Sequence, residues 1–128
     1  LTEGHYLTFE KDGKALQHTE HKLSLAKACN DHDGKDMRFV LWWQGKEPKD
    51  NVFYISTADK HDRKYIASSL ELTSKEKAAQ FSIADLGNGK GHVITEIDTG
   101  KQLSVEKDGR VTLKNNASDA FQVFSVTF

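Results

Sequence analysis

Ten residues near the start of the chain recur near its end. Gly4-His5-Tyr6-Leu7-Thr8-Phe9-Glu10-Lys11-Asp12-Gly13 aligns without gaps on Gly100-Lys101-Gln102-Leu103-Ser104-Val105-Glu106-Lys107-Asp108-Gly109, with six identities. Self-similarity of this kind restricts a chain to architectures assembled from copies of one unit, because each copy buries its apolar face only against the others. A weaker third copy, Lys64-Tyr65-Ile66-Ala67-Ser68-Ser69 followed by Leu70-Glu71-Leu72, has a shortened turn but keeps the apolar anchor, which aligns Leu7, Ile66 and Leu103. A second anchor follows each of these at Phe39, Phe81 and Phe121, separated by 42 and 40 residues.

Around the second anchors, apolar residues alternate with others, as in Met37-Arg38-Phe39-Val40-Leu41 and Ala120-Phe121-Gln122-Val123-Phe124. That is the period of a strand with one buried face. Asp12-Gly13 and Asp108-Gly109 supply tight hairpin turns, since both residue types tolerate the positive φ such turns require. Further strands open the later units at Val52-Phe53-Tyr54-Ile55 and His92-Val93-Ile94-Thr95-Glu96-Ile97. Four strands per unit and three units (approximately 1–45, 50–87 and 91–128) give an all-β chain that closes on one shared core, the arithmetic of a β-trefoil. The first unit departs from the others: its anchors lie 32 residues apart, against 15 and 18, so an insertion is expected there. Residues 18–29 read equally as helix or as a longer strand with a loop.

At 128 residues the expectation is one domain spanning 1–128, which folds alone as a monomer. A net charge of -1, with both signs scattered, gives no electrostatic case for nucleic acid. No run approaches the roughly 18 apolar residues of a membrane span, so no integral membrane association is expected. The first residues lack a basic segment followed by an apolar stretch, so no targeting peptide is expected to remain, and the compartment stays open between cytoplasmic and secreted. Cys29 stands alone, which excludes an intramolecular disulfide and reads as a small buried hydrophobe.

The segments Gly4-His5-Tyr6-Leu7-Thr8-Phe9 and Gly100-Lys101-Gln102-Leu103-Ser104-Val105-Glu106-Lys107-Asp108-Gly109-Arg110-Val111-Thr112-Leu113 resemble the repeat of the fascin and hisactophilin branch of the β-trefoils. The resemblance covers the whole chain and concerns a strand, a turn and a strand. It implies actin binding and, for hisactophilin, a histidine-driven response to pH, for which the six histidines here are few. The ricin-B-like lectins carry a Gln-x-Trp near the end of each repeat, and Gln122-Val123-Phe124 is a partial match to it.

The candidate binding residues sit in turns and beside one aromatic pair. In Trp42-Trp43 the side chains point to opposite faces, with Trp43 inward by alternation with Phe39 and Leu41, which leaves Trp42 as a plate for a sugar ring. Asp59, His61 and Asp62 lie in the turn before Ile66, and Asp98 lies in the equivalent turn before Leu103, where a carboxylate can grip sugar hydroxyls. Asn115 and Asn116 form an amide-rich turn before the last strand, and Asn116-Ala117-Ser118 also matches the N-glycosylation acceptor. Asn30-Asp31-His32-Asp33-Gly34-Lys35-Asp36 lacks the later glutamate of a calcium loop, and His18 and His21 have no third zinc ligand at a diagnostic spacing. Gly87-Asn88-Gly89-Lys90-Gly91 reads as a plain hairpin loop, and no nucleophile elbow or phosphate loop occurs.

The expected function is therefore a non-enzymatic binding module without cofactor or metal. Its partner is a glycan held in shallow turn sites or a protein. Carbohydrate binding leads, a fascin-like or hisactophilin-like actin-binding role is the alternative, and a protease inhibitor presenting residues 18–36 is a third.

Overall fold

The structure, a computed structural model, describes residues 6–19, 22–27, 35–115 and 119–125. It is all-β. The strands are β1 (Tyr6–Lys11), β2 (Lys14–Thr19), β3 (Lys22–Lys27), β4 (Phe39–Trp43), β5 (Phe53–Thr57), β6 (Tyr65–Ile66), β7 (Leu72–Thr73), β8 (Phe81–Asp85), β9 (His92–Glu96), β10 (Gln102–Val105), β11 (Val111–Lys114) and β12 (Gln122–Ser125), with short 3-10 turns at Lys35–Met37 and Lys75–Lys77.

All pairings among these strands are antiparallel. One series runs β1–β4–β5–β8–β9. β12 then pairs with β1 over Leu7–Glu10, and Phe121, just ahead of it, bridges to His92 on β9. That bridge has both backbone hydrogen bonds, 2.7 and 2.8 Å. The path of pairings thus returns to its start, and β2–β3, β6–β7 and β10–β11 lie outside it as hairpins.

Alternation explains the core. Phe39 and Leu41 of β4 and Phe81 and Ile83 of β8 all turn inward and are essentially buried, as the period of two requires. The six expected anchors, Leu7, Ile66, Leu103, Phe39, Phe81 and Phe121, belong to one apolar cluster, and none is more than 4 % exposed.

The ten-residue match equates segments with different places in this order. Asp12-Gly13, at φ 53° and 77°, turns β1 into β2, whereas Asp108-Gly109 turns β10 into β11. The correspondence of Leu7 with Ile66 and Leu103 is corrected accordingly. Leu7 lies on β1, inside the circuit, while Ile66 and Leu103 lie on β6 and β10, in the hairpins; Leu16 on β2 holds the matching place. The physical reason is that an apolar strand ending in Asp-Gly encodes a hairpin locally and carries no information about which strands it joins. Measured from Leu16, the first unit spans 23 residues to Phe39, so its insertion is shorter than expected. Residues 18–19 and 22–27, left open between helix and strand, are strand. Cys29, His21, residues 30–34 and the Asn116–Ser118 acceptor lie outside the described residues.

Where the β5–β8 ladder is shortest, with only Phe53 opposite Phe81, a side chain extends it. Asn51 donates its amide to the Ile83 carbonyl (2.8 Å) and accepts the Ile83 N–H (3.0 Å), imitating one more strand residue. Asn51→Ala is expected to lower stability by about 1–2 kcal/mol in denaturant titration. Asn51→Asp, of the same shape but unable to donate, should recover only part of this.

Candidate functional site

The β5–β6 connection is a built turn. Asp59 accepts the backbone N–H groups of His61 (2.9 Å) and Asp62 (3.3 Å) on one carboxylate oxygen, which folds the chain back on itself. Thr57 clamps the far end: its N–H reaches the Lys64 carbonyl at 2.8 Å and its hydroxyl accepts the Lys64 N–H at 3.1 Å. Lys60, His61 and Asp62 are thereby held exposed on a fixed loop.

This turn forms one wall of a cleft of about 490 Å³. The other wall comes from distant parts of the chain: Tyr6 at the start of β1, His18 on β2, Asp36 in the first 3-10 turn and Arg38 ahead of β4. His18 stands edge-on to Phe39, with ring centres 5.4 Å apart, so the wall is packed directly on the core. Asp36 accepts a hydrogen bond from the Gln17 side-chain amide. Arg38 is only 4 % exposed, and its charge sits in a segment otherwise apolar from Met37 to Leu41.

Of the expected binding residues, Asp59 and His61 line the cleft and Asp62 sits beside them on the same turn. Trp42 does not line it. Trp43 does pack against the core, as alternation requires, and its indole N–H reaches the Asp50 carbonyl at 2.8 Å. Trp42 is half-buried, donates to the Ser56 hydroxyl at 2.8 Å and carries the Arg63 guanidinium 4.6 Å above its ring. The ring thus already has a cation–π partner where an open plate was expected. Asp98 is exposed in the β9–β10 turn, which is organised instead by Thr99, hydrogen-bonded to Glu96 at 2.7 Å and accepting the Lys101 N–H at 3.2 Å. Asn115 is exposed just after β11, and Asn116 lies outside the described residues.

Sequence reasoning missed Tyr6, Asp36, Arg38 and Lys60 as site residues and weighed His18 only for zinc, which the lack of a third ligand set aside. One signal was readable: an arginine inside an apolar strand run needs a polar recess. Among the described residues no group of three or more His, Cys, Asp and Glu side chains could hold a metal ion, and no helix is long and apolar enough to cross a membrane. The chain matches no protein-family model and no curated protein.

Proposed function

We propose that the chain is a β-trefoil module that binds carbohydrate in the cleft beside the β5–β6 turn. The trefoil reading is supported by the returning circuit of β1, β4, β5, β8, β9 and β12, by the hairpins outside it and by the single cluster of anchors. The observation that carries the binding reading is the cleft itself. Its volume falls within the range of small-molecule sites, and it combines an aromatic ring, two imidazoles and two carboxylates on a turn fixed by its own hydrogen bonds. Aromatic faces stack on the apolar side of a sugar ring, and charged or amide groups set its orientation.

A glycan array with the whole chain tests this, followed by titration of the strongest hit. Asp59→Ala frees the turn and is expected to weaken binding at least tenfold, a loss of about 1.4 kcal/mol. Trp42→Ala, outside the cleft, should weaken it far less. Binding that depends on Trp42 and ignores Asp59 would displace the site, and co-sedimentation with filamentous actin without any saccharide binding would replace the reading with the actin-binding one.

A further inference from the structure

Three aromatic rings and one arginine meet on the outer face of β4, β5 and β6, outside the lining of the cleft. Leu41 and Trp43 turn toward the core, so alternation sends Trp42 outward, where it lies directly opposite Tyr54. Tyr54 in turn meets Tyr65 edge-on, with ring centres 6.2 Å apart. All three rings are half-buried, and the Arg63 guanidinium covers the Trp42 ring at 4.6 Å. The backbone is fixed on both sides of Arg63: Asp59 holds the Asp62 N–H, and Thr57 holds Lys64 through both its N–H and its carbonyl.

This half-buried cation lacks an anion. The carboxylate of Asp62, its neighbour in sequence, lies 3.9 Å from the Lys64 amine, and among the described residues no carboxylate pairs with Arg63. Its Nε is buried without a hydrogen-bond partner, an arrangement that costs stability unless a ligand completes it. The indole holds the guanidinium in place, and its terminal amino groups form a fork suited to a planar carboxylate. We infer that this face docks an acidic segment of a protein partner: Arg63 takes one of its carboxylates through paired hydrogen bonds, while Tyr54 and Tyr65 pack the apolar residues beside that carboxylate. Trp, Tyr and Arg are the side chains that carry most of the energy of protein interfaces. A single arginine in a chain of net charge -1 supplies no run of cations for a polyanion such as nucleic acid.

The test is binding of the whole chain to an array of immobilised peptides that fix one glutamate and vary the residues on either side, with matched arrays fixing glutamine or phosphoserine. Glutamate peptides with apolar neighbours are expected to be retained. The best of them, labelled and titrated by fluorescence polarisation, should bind about tenfold or more tighter than its glutamine counterpart. Arg63→Ala should erase that difference, and Arg63→Lys should erase most of it, because an ammonium keeps the charge but loses the planar fork. Both variants are compared with the parent by thermal unfolding. A reading that needs no arginine variant is the indole emission of the parent, which the glutamate peptide should shift and its glutamine counterpart should not, with the shift gone in Trp42→Phe. Retention of no glutamate peptide, binding that Arg63→Lys preserves in full, or a shift that survives Trp42→Phe overturns the inference. A preference for phosphoserine overturns the carboxylate assignment. No saccharide enters this experiment, so its failure leaves the carbohydrate reading standing.

Discussion

Phe39→Ala is expected to destabilise the protein by about 3–5 kcal/mol, the range for truncating a fully buried aromatic side chain. Phe39 is 0 % exposed and tilted against Phe9, with ring centres 5.7 Å apart. Its removal leaves a void among neighbours drawn from several strands, so no single side chain can collapse into it. A domain of this size has roughly 5–15 kcal/mol in total, so the variant should lose a large part of its stability. Urea titration checks this through the midpoint, with the slope unchanged. Phe39→Leu should cost much less. Because His18 rests on the same ring and lines the cleft, Phe39→Ala should also weaken the proposed saccharide binding even where it remains folded. A loss under about 1 kcal/mol, the size of a surface change, would contradict a single shared core.

Asp119 is the second position of large effect. Its carboxylate accepts the Ser104 hydroxyl at 2.6 Å and the Val105 N–H at 2.9 Å, and its other oxygen meets Lys11 of β1 at 3.1 Å. It ties the segment before β12 to β10 and to β1 at once. Burial opposes its ionisation, but Ser104, Val105 and Lys11 together outweigh this and hold the carboxyl below its ordinary value. A depressed folded-state pKa stabilises the fold above the unfolded value, near 3.9, and the contribution is lost as pH falls through the folded value. Asp119→Ala is expected to cost about 2–3 kcal/mol at neutral pH, since it leaves the buried Ser104 hydroxyl and a backbone N–H without their acceptor. Denaturant titrations of the parent and Asp119→Asn at several pH values check the sign: the gap should be widest near neutrality and narrow in acid. A gap that grows on acidification would contradict the depressed pKa.

The sequence made some of this legible and hid the rest for definite reasons. Strand alternation and the inward turn of Phe39, Phe81 and Phe121 follow from a period of two, and that signal is local. The tight turn at Asp12-Gly13 was readable for the same reason. Which strands a hairpin joins is not local, so the match between residues 4–13 and 100–109 misplaced Leu7 by one strand relative to Leu16. The cleft was equally out of reach, because Tyr6, His18, Arg38 and Asp59 converge only after β1, β2, β4 and β5 are in place. Asp59 and His61 could be named because Asx turns have a recognisable composition. Trp42 was named on its exposure by alternation, and no spacing rule connects it to the Arg63 that covers its ring.

The order in which the circuit of strands is completed has a consequence for biosynthesis. β1 is synthesised well before β12, yet its ladder with β12 and the contact between Phe121 and His92 wait until that later segment has been translated. Until then the nascent chain carries an unmatched apolar strand edge, the kind of surface that sticks to neighbouring chains. Assembly governed by partners so far apart along the polypeptide belongs to the slow class of topologies, in milliseconds to seconds.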